Sequence, residues 1–454
     1  MATAQGRAGV VSLCWLVLVA SLLSWLAVVR PAPLLAQAGG VAWAWSGAIT
    51  HESATVVARV ADGVTGARLV ITPDRAGAEA DAMTVPSTGM AAPDAHGVIR
   101  FAVTRLSPAT RYRYRVETPS GERLDGRLRT WADGPFSFRV TFASCATTAS
   151  NSRVFDAIRS MTPDLFVHMG DFHYLNISRN DHAAFRRGYD RVLSSPRQSA
   201  LYRSTPIAYM FDDHDFGANN ADSTSASGPA AGTVYRERVP HYALQPGASI
   251  QQSFTIGRVR VIVTDTRTAR APVDADRPRT MLGEAQVRWL EDEFEKAKDA
   301  PLVIWVNTVP WITKANEATS EGWAPYAEER TRLADRIEAL GLTARLVMLS
   351  GDGHMSAIDD GRNSAYMSGR TPATRGFVVA HGAPLDRWTR TKGGPYSHGV
   401  SRRNHQFGML DVADTGTALD VTVSVRNGTG GLVPGLQLSL RCEKDACVPV
   451  SHTQ

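Results

Sequence analysis

Asp164-Leu165-Phe166-Val167-His168-Met169-Gly170-Asp171-Phe172-His173-Tyr174 decides the fold. A short apolar run ends abruptly in glycine, carboxylate, imidazole and phenol. A run of this length, bounded by turn residues, reads as a buried strand. The same grammar recurs three times. Val140-Thr141-Phe142-Ala143-Ser144 leads into Cys145, and Pro206-Ile207-Ala208-Tyr209-Met210-Phe211 leads into Asp212-Asp213-His214-Asp215. Arg345-Leu346-Val347-Met348-Leu349-Ser350 leads into Gly351-Asp352-Gly353-His354. Ligand-type side chains at the carboxyl ends of several buried strands converge at one sheet edge, where α/β proteins place their sites. The expectation is a metal centre assembled from residues far apart in sequence.

Between these blocks the pattern alternates. Residues 154–161, 283–297 and 327–340 read as helices; in the second, Trp289, Leu290 and Phe294 share one face. Residues 258–264, 302–307 and 376–380 read as further strands, which argues an α/β layered domain. Residues 217–232, rich in Ala, Ser, Gly and Asn, read as a loop bordering the site. Residues 419–425 alternate with period two and are expected to close the second sheet antiparallel. Upstream, residues 40–130 also alternate, and Leu106-Ser107-Pro108-Ala109-Thr110 precedes Tyr112-x-Tyr114-x-Val116. That segment resembles the tyrosine-containing strand entry of fibronectin-type sandwiches.

The blocks together resemble the calcineurin-like metallophosphoesterases, and within them the PhoD-like alkaline phosphatase/phosphodiesterase family. The matching residues are Phe142-Ala143-Ser144-Cys145, Gly170-Asp171-x-x-Tyr174, Asp212-Asp213-His214-Asp215, Asp265-Thr266-Arg267, Leu282-Gly283-x-x-Gln286-x-x-Trp289-Leu290 and Ser350-Gly351-Asp352-x-His354. The resemblance implies a layered αββα core, with two β-sheets between helices, over 137–436. An immunoglobulin- or fibronectin-like β-sandwich would precede it over 39–132, and a tail would follow over 437–454. It implies an alkaline phosphatase with phosphodiesterase capacity. The alternative is a dedicated phosphodiesterase acting on phospholipid head groups or teichoic-type polymers.

The resemblance also implies a ligand set. Two ions roughly 3.5–4 Å apart can clamp the attacking and leaving oxygens of a phosphate ester, and one carboxylate must bridge them. Asp171 matches the bridge. Cys145, Tyr174 and His354 complete a first position whose phenolate favours Fe3+. Asp213 and Asp352 complete an oxygen-rich second position suited to Ca2+, or to Mg2+ or Mn2+. His214 is the expected proton donor to the leaving oxygen, oriented by Asp215. Roles remain open for His173, Asn219, Asn220, Arg267, Asn307, His381, His398 and His405. Trp311 and Trp323 either line the cleft or fill the core.

The 454 residues allow two or three domains, and 43% hydrophobic with 20% charged residues is a globular composition. A net charge of +5 with no Lys/Arg block gives no nucleic-acid-binding patch in the sequence. Arg7, an apolar run over 10–29 and Ala36-Gln37-Ala38 form a secretory signal pattern over 1–38. The protein is therefore expected to be exported to periplasm, cell surface or medium. The run is also just long enough to serve as a membrane anchor if it is retained. Cys442 and Cys447 frame a short loop and are expected to pair as a disulfide in an exported protein. Phosphate esters are the expected substrates; the oligomeric state is open.

Overall fold

In the N-terminal third the period-two pattern folds as seven strands: β1 (Val41–Gly47), β2 (Ala54–Val60), β3 (Arg68–Pro73), β4 (Met83–Pro86), β5 (Val98–Val103), β6 (Arg111–Glu117) and β7 (Arg123–Arg129). Strand β6 buries Tyr112, Tyr114 and Val116 and turns the intervening arginines outward, as alternation requires. Four of the strands form one sheet in the order β4-β3-β6-β7, while β1, β2 and β5 join a larger sheet. The computed structural model describes residues 40–86, 96–273, 279–314 and 321–450. Gly39–Gln454 form one compact unit. The expected signal segment over 1–38 lies outside the described residues.

The chain then alternates: β8 (Phe138–Ala143), α1 (Val154–Ser160), β9 (Leu165–Met169), α2 (His182–Leu193), α3 (Pro196–Ser204), β10 (Ile207–Met210), α4 (Asp213–Phe216) and α5 (Gly228–Arg238). Next come β11 (Gln252–Ile256), β12 (Val259–Val263), α6 (Glu284–Lys296), β13 (Leu302–Asn307), α7 (Ala327–Ala339), β14 (Leu346–Ser350), β15 (Ser356–Asp359) and β16 (Val378–Gly382). The chain ends in β17 (Val400–Ser401), β18 (Gln406–Asp414), β19 (Leu419–Asn427), β20 (Leu432–Cys442) and β21 (Cys447–Pro449).

Two sheets carry the site. The ten-stranded sheet has the order β21-β20-β19-β18-β8-β9-β10-β1-β2-β5, and the seven-stranded sheet β11-β12-β13-β14-β16-β15-β17. Val261, Ile304, Val306, Val347 and Leu349 share a core with Leu165, Val167 and Met169 of the larger sheet. The opposite faces of the same strands, through Ile262, Val303, Trp305 and Met348, pack on Leu290 and Phe294 of α6 and Leu333 and Ile337 of α7. Across the larger sheet, Phe166 stacks on Tyr202 of α3 at 6.1 Å between centroids.

Two expectations change. Strand β19 lies in the first sheet, not the second. Its neighbour β18 pairs antiparallel with β8, Gly408 opposite Phe142, where a Cβ on Gly408 would sit 2.1 Å from the Phe142 ring. The expected loop at 217–232 ends early, because Gly228 and Pro229 open helix α5; proline is well suited to the first turn. At the C-terminal end Cys442 ends β20, Cys447 begins β21, and the two are disulfide-bonded, as expected from the sequence. The larger sheet is also continuous across residue 132, since β1 pairs parallel with β10, Gly47 opposite Ile207.

Candidate metal centre

Strands β8, β9 and β10 run parallel side by side, so their carboxyl ends deliver Cys145, Asp171 and Asp213 to one edge. Strand β14 of the facing sheet delivers Asp352 and His354. Two glycines let these ends close. A Cβ on Gly170 would stand 2.4 Å from the Asp212 Cβ, and one on Gly351 would stand 2.8 Å from the Ser144 hydroxyl. Cys145, Asp171, Asp352 and His354 all have positive φ, from 49° to 64°. Left-handed backbone at four non-glycine residues costs about 1 kcal/mol or more each and concentrates at functional sites.

One atom group from each of three residues falls within 4.8 Å in three combinations: Cys145 with Asp171 and His354, Asp171 with Asp213 and His214, and Asp171 with Asp212 and Asp352. Asp171 belongs to all three. Its Oδ2 accepts the Tyr174 hydroxyl at 2.5 Å, and that hydroxyl is 3.3 Å from His354 Nε2. The expected first set is therefore brought together whole. The expected second set is split between two groups around Asp171, Asp213 with His214 and Asp352 with Asp212.

The donor set fits a cation. Asp171 Oδ1, Asp212 Oδ2, Asp352 Oδ2 and His354 Nδ1 are buried and have no hydrogen-bond partner among the described residues. Buried polar groups are otherwise almost always paired, at a cost of ~1–3 kcal/mol when they are not. Burial, then the charges of Asp213, Asp212, Asp215 and Asp352, push the Asp171 carboxyl well above its ordinary range. Burial, then Asp171 and Asp352, do the same to the Cys145 thiol. A cation among them would reverse both effects. Asp213 is held at about 2: burial opposes its ionisation, but Arg267 and His214 override it. Burial lowers His354 to about 4, leaving a neutral imidazole available as a ligand.

The His214–Asp215 pairing expected from the sequence is not formed. Asp215 Oδ2 accepts the backbone N–H groups of Asp171 at 2.6 Å and Asp212 at 3.0 Å; Oδ1 accepts that of Phe172 at 2.8 Å. Adjacent residues in the short helix α4 point in different directions, which separates the two side chains. The partner of His214 is Asn176, whose Oδ1 lies 2.6 Å from Nδ1. Nδ1 then carries the proton of a neutral ring, and Nε2 keeps its lone pair. Burial lowers the His214 pKa rather than raising it. Both features suit a metal ligand better than a resting acid.

The open residues now have places. Arg267 is fully buried and donates to Asp212, Nε to Oδ1 at 2.7 Å, so it braces a carboxylate and does not face the cleft. Asn307 donates to Val309 O and accepts from Trp323 Nε1 at 3.3 Å, and Trp311 and Trp323 are core. Asn220 gives its backbone N–H to Asp213 at 2.6 Å; Asn219 makes no such contact. His173 is buried against Phe185 and Tyr189, and His381 against Tyr396. His398 lies beside Asp360 and Arg362, and His405 packs at Gly428; neither joins the cluster.

Sequence reading gave no role to Asp212, though it sits in a quoted block. It also passed over Lys392, whose Nζ donates to Asp352 Oδ1 at 2.8 Å and also to Glu321. Arg387 lies over the Tyr174 ring at 3.9 Å with a buried, unpartnered Nε. Trp388 is 57% exposed and packs its ring on His354 at 4.7 Å. These three lie after the last motif, in a stretch without periodicity, so only folding reveals them.

The model of the PhoD-like phosphatase family matches residues 138–382. A solved structure of PhoD superposes with a TM-score of 0.69 at 18% identity, covering 91% of this chain and 92% of that one. A purple acid phosphatase from yellow lupin (Lupinus luteus) seeds superposes with a TM-score of 0.63 at 11% identity, covering 92% and 78%. No curated protein matches the chain. With the family model spanning more than half of its residues, the chain belongs to the PhoD-like phosphatase family.

Proposed function

We propose that this phosphoesterase hydrolase is metal-dependent and dinuclear, with Asp171 as the shared ligand. The observation that carries the reading is the membership of the Asp171 carboxylate in all three ligand groups. Cys145, Tyr174 and His354 hold the first position, and Asp213, His214 and Asp352, with Asp212 alongside, hold the second. Bound cations would supply Lewis-acid polarisation of the phosphate and a nucleophile at neutral pH. The chain's own residues do the rest. Asp215 and Arg267 fix the strand-end turns. Asn176 fixes the His214 ring. Arg387, over the Tyr174 ring, is placed to hold a phosphate oxygen through its guanidinium group.

Burial and the Asp171 charge hold the Tyr174 hydroxyl well above its ordinary pKa. Ligation by Tyr174 as a phenolate, which the family resemblance implies, would call for a strongly charged ion, and on that footing the first position is read as Fe3+. The carboxylates of the second position support Ca2+, Mg2+ or Mn2+. The Cys442–Cys447 disulfide supports an exported protein. The two sheets of β1 to β7 support reading residues 39–132 as a fibronectin-like sandwich that braces β10. Monoester and diester cleavage are both proposed activities.

The test uses the purified chain with 4-nitrophenyl phosphate and bis(4-nitrophenyl) phosphate. Hydrolysis should stop after chelation and return on adding ferric and calcium ions. Full turnover by metal-stripped protein would end this reading.

A further inference from the structure

A groove of about 1020 Å³ lies away from the metal cluster. It lies over the outer face of β6 and β7 and is bordered by Thr162-Pro163-Asp164 and Thr205-Pro206. Those borders immediately precede β9 and β10, whereas the metal cluster follows them. The groove and the cluster are therefore at opposite ends of the same strands, and neither can serve as the other's substrate pocket for a small ester.

Eight arginines line this groove against four carboxylates. The chain's net charge is only +5, yet six of these arginines lie within residues 111–129, and the fold adds Arg159 and Arg203 to them. The register sharpens this. Arg111 stands opposite Arg129, and Arg113 opposite Arg127; like charges directly across a ladder repel. Carboxylates relieve part of the repulsion: Arg113 pairs with Asp74 at 3.1 Å, Arg115 with Asp125 at 2.7 Å and Arg129 with Asp164 at 3.0 Å. Arg111, Arg127 and Arg203 have no carboxylate within ion-pair distance among the described residues. Arg203 is held at the rim because its backbone carbonyl accepts the Tyr114 hydroxyl at 3.0 Å.

We propose that this groove binds a linear, base-free phosphate polymer, away from the catalytic centre. Outward residues of one strand repeat every ~6.7 Å, so β6 presents Arg111, Arg113 and Arg115 in one row and β7 presents Arg129, Arg127 and Arg123 in a second, interrupted by Asp125. Guanidinium is the side chain best matched to phosphate oxygens. An extended polymer with regular negative charge complements two such rows; a single phosphate would engage only one step of them. Nucleic acid is the weaker occupant, because single-strand binders stack bases on exposed aromatic rings. The tyrosines of β6 are buried.

The experiment measures binding of long-chain inorganic polyphosphate to the full chain across a salt series. It compares wild type with the triple variant Arg111→Gln, Arg127→Gln, Arg203→Gln and with the triple Lys variant at the same positions. The Gln variant should bind at least ~10-fold more weakly, with a log–log salt slope shallower by ~2. The Lys variant should keep most of the affinity, and both should hydrolyse 4-nitrophenyl phosphate as wild type does, which reports intact folding. Equal binding by the Gln variant, or no binding by wild type, overturns the proposal. Oligothymidylate of equal charge binding as tightly, and losing as much in the Gln variant, assigns the groove to nucleic acid instead. None of these outcomes bears on the metal centre.

Discussion

The Asp215 carboxylate accepts the backbone N–H of Asp171 at 2.6 Å. A buried acid thus holds the turn that presents the shared ligand. Its second oxygen takes Phe172 N, and the first also takes Asp212 N, so one side chain ties the ends of β9 and β10 together. Burial raises its pKa to about 7 against the pull of those N–H groups.

Asp215→Asn keeps the shape but replaces an acceptor with a donor facing N–H groups. A buried hydrogen-bonded carboxylate lost in this way costs ~3 kcal/mol or more. The variant should unfold at lower denaturant concentration and lose both metal content and turnover. If it keeps wild-type metal and stability, the bracing role is wrong.

Gly170→Ala tests the closeness of the strand ends. The added methyl would meet Asp212 Cβ at 2.4 Å, at a φ of +86°. The Asp212–Asp213 turn must shift, and a displacement of about 1 Å at a reacting site can cost ~10²-fold in rate. The expected result is folded protein with turnover down by about that factor. Unchanged kinetics would mean that the turn has room that the geometry does not show.

How much of this was readable beforehand differs by residue. Strands β8, β9, β10 and β14 were legible because buried parallel strands are continuous apolar runs, and each ends in a polar block. The blocks could therefore be located, and the family resemblance picked Cys145, Asp171, Tyr174, Asp213, Asp352 and His354 within them; the structure brings each of these to the same edge around Asp171. The direction of side chains within a block was not legible. Asp212, His214 and Asp215 are consecutive or nearly so, and one helical turn sends them to Arg267, Asn176 and the backbone respectively. Strand order was also hidden: β19 reads as a strand, but its place in the larger sheet rests on its neighbour β18, which pairs with β8 far away in the chain. The alternating arginines of β6 and β7 stand in the sequence, but the register that sets Arg111 against Arg129 does not.

His214→Ala separates ligand from acid. With Nδ1 held by Asn176 and Nε2 free, the account predicts loss of one metal equivalent and strongly reduced turnover with good and poor leaving groups alike. Asn176→Ala should weaken metal retention by less. Two retained equivalents, with a defect confined to poor leaving groups, would restore His214 as the proton donor.

Cys442→Ser removes the bond that closes the β20–β21 hairpin. A loop this short is worth about 2 kcal/mol in the chain-entropy estimate. Denaturant unfolding should shift by that order, while hydrolysis stays unchanged because the hairpin holds no ligand. In the wild-type protein, peptide mapping without reductant should show Cys145 outside any disulfide, consistent with its buried free thiol.

The most direct measurement is the metal content of Asp171→Asn, read by mass spectrometry beside its visible spectrum and turnover, with Asp352→Asn as comparison. Asp171 is shared by every ligand group, whereas Asp352 belongs to one. The account predicts that Asp171→Asn loses both metals, colour and activity, and that Asp352→Asn loses mainly the second metal and keeps the visible band. Two metals bound to active Asp171→Asn would contradict the shared-ligand centre.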